Sequence, residues 1–181
     1  MKLTNFDFDA ALESAQKRAK RMVENGLYSR FGLPQNERID NALLGCMGEI
    51  AFEHLLNQKN IRYNLDETDF TQHNSDEYDF LLGGKKIDVK VAKTEKTPHD
   101  GWTFGYPEEQ RPSTKDYVVI GWVDFVKKEV NFYGWLTGDA VAKTQVVKFN
   151  SFAGFRYMTP NHEFKYGAMN KDLDQLFSLC K

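Results

Sequence analysis

The sequence is poor in cysteine: Cys46 and Cys180 are the two it has among 181 residues. Two thiols supply neither a disulfide framework nor a Cys/His cluster at zinc-ligand spacing. No run of about 18 apolar residues occurs, the length that a membrane-spanning helix needs. The opening "MKLTNFDFDAALES" is acidic early and lacks an apolar stretch ending at a small-residue cleavage site, so it does not read as a secretory leader. A reducing cytoplasm is the expected compartment. A charge surplus is missing too, since 24 Lys+Arg against 26 Asp+Glu leave a net charge of -2. Proteins that coat nucleic acid by bulk attraction usually carry a large basic excess. That class is excluded, while a local basic groove stays open.

What remains is a globular composition, 41% hydrophobic and 28% charged, in a chain of a length suited to one domain with a sizeable core. Charge is uneven at short range. Lys17, Arg18, Lys20 and Arg21 cluster early, Lys85, Lys86, Lys90, Lys93 and Lys96 cluster mid-chain, and Asp66, Glu67, Asp69, Asp76 and Glu77 form an acidic run. Any one such cluster is most often a solvated face. Residues 8–25 predict an amphipathic helix with Leu12, Ala15, Ala19, Met22 and Val23 on one side and Gly26 as its stop. A turn-rich connector leads to a more apolar helix over 36–58. Strands are expected near 61–65, 78–82, 85–92, 116–126 and 129–136, with a closing helix in "NKDLDQLFSLCK". The expected architecture is α/β (α+β), one domain over 1–181 with a helical extension at 1–35 and a central mixed sheet flanked by helices.

The stretch "YDFLLGGKKIDVKVAK" over 78–93 reads as a hairpin about Gly83-Gly84. In that register Leu82 pairs with Lys85, Phe80 with Ile87 and Asp79 with Asp88. Alternation sends Tyr78, Phe80, Leu82, Ile87, Val89 and Val91 to one face, and Asp79, Leu81, Lys86, Asp88 and Lys90 to the other. Opposed carboxylates about 5 Å apart repel by roughly 3 kcal/mol at an effective dielectric of about 20. A divalent cation reverses the sign, because hard ions such as Mg²⁺ take one or two carboxylates and complete their shell with water and phosphate oxygens. Lys90 would then orient or deprotonate a water, or neutralise charge on a phosphate. In the bland alternative Lys90 pairs with Glu77 at the surface.

In "NALLGCMGEIAFEHLL", Glu49 lies on a narrow polar stripe with Glu53, Asn57 and Asn60. That stripe either faces water or presents Glu49 to a site, with Gly45 and Gly48 permitting close approach. A helix glutamate, an aspartate at a strand start and Asp-x-Lys on the next strand together resemble the PD-(D/E)XK nuclease superfamily, over roughly residues 40–140. The segment "FYGWLTGDAV" also resembles the strand-to-helix portion of small members. Two departures stand out: Tyr78 replaces the proline of the motif's name, and residues 93–115 show no helical period where the family usually has a helix.

The resemblance implies a restriction endonuclease-like core and an Mg²⁺-dependent deoxyribonuclease, with Mn²⁺ as a substitute, of phage, restriction or repair type. Asp79 and Asp88 would bind the metal together with the carbonyl of Val89, Glu49 would join them directly or through water, and Lys90 would position the attacking water. DNA is the expected partner. A homodimer with two sites is required if cleavage is structure-specific. Lys86, Lys93, Lys96, Arg111 and Lys115 are candidate DNA contacts. Trp102, alternating with Phe104 and Tyr106, either stacks on bases or belongs to an edge strand packed on the core. The rival function is a catalytically silent nucleic-acid-binding or assembly module of the same fold. A third reading is an unrelated α+β protein with a salt-bridged hairpin.

Overall fold

The computed structural model describes residues 1–65 and 78–181. Asp7 opens the first helix: its carboxylate accepts the Ala10 N–H at 3.0 Å, which satisfies a first-turn donor that the helix itself cannot. Helix α1 runs Phe8–Glu24 and buries Ala11, Ala15, Ala19, Met22 and Val23. It packs on α2, Gln35–Gln58. The second helix is apolar nearly all round because it lies between α1 and a sheet. Residues 1–35, expected as an extension, are therefore part of the main core, and Lys2 bridges Asn131 on the sheet.

That sheet contains β1 (Asn64–Leu65), β2 (Phe80–Leu82), β3 (Lys85–Lys93), β5 (Tyr117–Asp124) and β6 (Glu129–Thr137), in the order β1-β2-β3-β5-β6. β3 and β5 are parallel and the other pairs antiparallel, so the central sheet is mixed. A second, antiparallel sheet is ordered β4-β8-β7, from β4 (Thr103–Pro107), β7 (Gln145–Phe149) and β8 (Arg156–Lys165). Short helices α3 (Gly138–Ala142) and α4 (Leu173–Leu179) complete the fold.

The central sheet is covered on both faces. Ile87, Val89, Val119 and Val123 join α1, α2 and α4 in the larger core, while Val118 and Ile120 pack with Tyr106, Phe164 and Val141 in a smaller one. β6 holds this division through a bulge. Ile120 pairs with Gly134 and Gly121 with Phe132, so Tyr133 is the extra residue and parity flips. Val130, Phe132 and Trp135 thus all reach the larger core.

The second sheet is what the sequence pattern concealed. Residues 145–149 and 156–165 mix polar, charged and apolar side chains, Pro160 included, and do not alternate cleanly. Of the two readings for Trp102, Phe104 and Tyr106, the edge strand holds: β4 is the outer strand of the second sheet. The crossover between the parallel strands β3 and β5 carries β4 and two short 3-10 turns in place of a helix. Among the described residues no helix is long and apolar enough to cross a membrane.

At the centre of the larger core Phe52 is fully buried, with its ring 5.2 Å from Phe80 and 5.4 Å from Phe132. Phe52→Ala is expected to lower stability by about 3–5 kcal/mol, the usual effect of removing a buried ring. A denaturant midpoint displaced at unchanged slope will register it.

Candidate active site

Gly83 and Gly84 have φ +51° and +81°, both left-handed, as a two-residue hairpin turn requires. The carbonyl of Cys180 lies 1.8 Å from where a Cβ on Gly83 would stand, so a side chain is excluded there by packing as well. The turn sets the pairs Leu82↔Lys85, Leu81↔Lys86 and Phe80↔Ile87, the register expected from the sequence. Asp79 stands one residue beyond, its N–H donating to the Ile87 carbonyl at 3.0 Å. Beyond Asp79, among the described residues, β3 keeps a ladder partner only on its β5 side. The site forms where Asp79 meets β3.

Asp79 and Asp88 are both almost wholly buried, with side chains 8% and 5% exposed. The polar face of β3 is therefore not a solvent face here, and Tyr106 of the second sheet lies against it at Lys90. Asp79 Oδ2 accepts the Val89 N–H at 2.6 Å. Lys90 Nζ lies 2.8 Å from Asp88 Oδ2, 3.9 Å from Asp79 Oδ2 and 3.4 Å from the Val89 carbonyl, to which it donates. An ammonium thus stands where the two acids and one carbonyl face one another, and its charge offsets their repulsion. The expected Lys90–Glu77 pairing lies outside the described residues.

The charges do not balance. Burial alone would depress the Lys90 ammonium, but Asp88 and then Asp79 outweigh it, and Lys90 is held well above the usual lysine range. Asp79, the farther of its two partners, takes up the surplus: burial, against the pull of Lys90 and with Asp88 and Glu49 adding to it, pushes its carboxyl well up.

Glu49 reaches this group from α2. Gly48 beside it is needed for a different approach, since a Cβ there would stand 2.8 Å from Val91 Cγ1; α2 rests on β3 through that gap. Glu49 Oε2 lies 2.6 Å from Arg18 Nη2, with the Glu49 side chain 17% exposed. Burial raises its carboxyl, Arg18 and Lys90 oppose the shift, and Asp88 adds to it. Of the expected polar stripe, Glu53 accepts a hydrogen bond from the Tyr63 hydroxyl at 2.6 Å, and Glu49 turns inward.

Two buried polar atoms mark the floor. Asp88 Oδ2 is close to the Lys90 ammonium yet receives no well-directed hydrogen bond among the described residues, and neither does the hydroxyl of fully buried Tyr106. Lys90 Nζ is 5.9 Å from the Tyr106 ring centre. Burial, with the Asp88 charge, pushes the phenol far up, so Tyr106 stays neutral and keeps a proton to donate.

Among the described residues, three carboxylates against two cations leave a negative surplus in a buried place, and one carboxylate oxygen is short of a donor. That donor set suits a hard cation. Asp79, Asp88 and the Val89 carbonyl share one focus, now held by Lys90, while Glu49 is drawn aside by Arg18. No group of three His, Cys, Asp or Glu side chains converges to hold a metal among the described residues. A metal would have to compete with the ammonium.

No family model, curated protein or solved structure matches the chain. What the site can do rests on its own geometry.

The expected DNA contacts stand in different surroundings. Lys86 and Lys93 point to opposite faces of β3, the former 6.0 Å from the Tyr78 ring and the latter 5.4 Å from that of Phe125. Lys96 and Arg111 are exposed. Lys115 is buried, donating to the Thr114 hydroxyl at 3.2 Å, which takes it out of any displayed set. Trp102 is half-buried against His99 and Phe152. Two site residues escaped the sequence reading. Arg18 was one of a basic cluster, although it falls three residues after Ala15 and four before Met22, inside the apolar stripe of α1. A charge there must find a buried partner. Tyr106 was one of three alternating aromatics, with nothing local to show that its hydroxyl would meet Asp88.

Proposed function

We propose that the protein is a metal-dependent deoxyribonuclease with a restriction endonuclease-like core, an endonuclease hydrolysing phosphodiester bonds with Mg²⁺ or Mn²⁺. The observation that carries the reading is the shared focus of Asp79 Oδ2, Asp88 Oδ2 and the Val89 carbonyl, within 3.9 Å of one ammonium, beside the inward-turned Glu49. Asp79, Asp88 and Val89 would hold the ion, with Glu49 as a further oxygen donor. When bound, Mg²⁺ supplies Lewis-acid stabilisation of the phosphate and lowers the pKa of a bound water. In the metal-free protein Asp88 and Asp79 hold Lys90 protonated, which places it to orient a water or a phosphate oxygen by donation. Tyr106, neutral and buried beside Lys90, keeps a hydroxyl proton to donate, and its ring closes the floor to bulk water. Arg18 restrains Glu49.

The silent-module reading keeps one observation of its own: Lys90 and Arg18 already pair with the carboxylates, which gives a closed site. Cleavage decides between the two. Plasmid, linear, single-stranded and branched DNA are incubated with Mg²⁺ or Mn²⁺ and with chelator, and the melting temperature is followed with each metal. Nicking or degradation that stops in chelator, with a melting temperature raised by the metal, is the expected result. DNA binding without cleavage in any metal, and without a thermal shift, hands the protein to the silent-module reading.

A further inference from the structure

The hairpin linking β7 and β8 exposes apolar rings that the core could have taken. Phe149, Phe152 and Phe155 are 57%, 55% and 54% exposed, and Met158 58%. The loop that carries them is tightly built. Buried Asn150 accepts the N–H groups of Phe152 at 3.0 Å and Ala153 at 2.6 Å through its side-chain oxygen, and donates to the Tyr157 hydroxyl at 2.7 Å. Glu163 accepts the Ser151 N–H at 2.8 Å. The rings are thus displayed by a loop whose polar groups are satisfied.

Charge separates this surface from an ordinary sticky patch. Residues 143–158 contain Lys143, Lys148 and Arg156 and no Asp or Glu, in a chain of net charge -2, and Glu163, which meets the loop from β8, is engaged by Ser151 and Tyr157. Lys148 and Arg156 are exposed, and Arg156 is the register partner of Phe149. Rings interleaved with cations suit a strand with a charged backbone and unpaired bases, each of which offers a face for stacking. The patch is linked to the site through β4. Phe152 lies 5.8 Å from Trp102, at the head of β4, and the same strand delivers Tyr106 to Asp88 and Lys90. Four residues of strand separate Trp102 from Tyr106, about 13 Å.

We infer that the β7–β8 hairpin is a docking surface for single-stranded DNA, whose unpaired bases stack on Phe149, Phe152 and Phe155 while Lys148 and Arg156 meet its phosphates. The inference rests on the nuclease reading where it assigns a substrate class, DNA with single-stranded or branched character, and stands without it as a binding site. The test is fluorescence anisotropy in chelator with a labelled oligo-dT and an abasic strand of equal length, on the wild type and on Phe149→Ala/Phe152→Ala/Phe155→Ala. The substitutions lie on exposed rings, and an unchanged melting temperature certifies the fold.

Oligo-dT is expected to bind the wild type at least tenfold more tightly than the abasic strand, and the triple variant to lose about that factor on oligo-dT alone. Equal binding of the two strands, or a triple variant indistinguishable from the wild type, overturns the inference while leaving any cleavage of duplex DNA intact. Concentration-dependent self-association in sedimentation that the triple variant abolishes, without base-dependent binding, assigns the patch to a second copy and also overturns it. Base-dependent binding in a protein that never cleaves DNA supports the hairpin and removes the nuclease reading.

Discussion

Asp88→Asn is expected to reduce metal-dependent DNA cleavage about a thousandfold or more while the protein remains folded. Asn has the size and shape of the residue it replaces but not its charge, and Asp88 is the acid that stands closest to Lys90, at 2.8 Å. If this oxygen holds the ion, losing its charge removes several kcal/mol of transition-state stabilisation, and each 1.4 kcal/mol is about tenfold in rate. The fold should survive because Lys90 retains Asp79 at 3.9 Å and the buried negative surplus falls. The informative comparison is made at saturating Mg²⁺ with melting temperature and DNA binding in parallel. A variant that cuts at the wild-type rate would place the chemistry elsewhere on the chain. One that fails to cut and also fails to bind DNA in chelator would show that Asp88 serves binding, against the role proposed for it.

The hairpin and both long helices were legible because each is a local pattern with one solution. Gly83-Gly84 allows one tight turn, that turn sets the register, and the register brings Asp79 and Asp88 together. The occupant of the space between them was not legible. Sequence spacing puts Lys90 on the same face as Asp88 but cannot say that the face is buried, and it is burial that turns Lys90 back onto the acids instead of out toward a surface partner. Burial came from the second sheet. β8 gives the small core Phe164 and β7 gives it no residue, β7 being exposed but for half-buried Val147, so neither strand shows the alternation of a half-buried strand. Missing that sheet also meant missing Tyr106, whose ring is core and whose hydroxyl belongs to the site. Arg18 was hidden differently: its position in the apolar stripe of α1 was readable, but three cationic neighbours made it look like one of a surface set.

Lys90→Ala and Asp79→Asn are expected to change the stability of the metal-free protein in opposite directions. Removing Lys90 leaves two buried carboxylates facing one another with no cation between them. Breaking a buried ion pair in this way costs about 3–5 kcal/mol. Protonation of one acid relieves part of that, so the loss in chelator should be about 3 kcal/mol near pH 8 and smaller near pH 5. Asp79→Asn does the reverse. The amide oxygen can still accept the Val89 N–H, while the charge that overloads the site is gone. The folded protein holds the Asp79 proton more tightly than the unfolded chain, whose aspartates titrate near 3.9. The stability from that protonated carboxyl is present in acid, and it is lost as pH rises from about 4 through the raised folded value. Glu49, also raised, acts with the same sign. The variant and the wild type should therefore melt together in acid and diverge as pH climbs, with Asp79→Asn the more stable. Mg²⁺ should narrow the gap by stabilising the wild type alone. Melting curves from pH 4 to 8.5 with chelator and with Mg²⁺ read all three trends at once. An Asp79→Asn protein less stable than the wild type at pH 8 in chelator would mean that the buried acids are not in surplus, and the case for a cation among them would lose its physical basis.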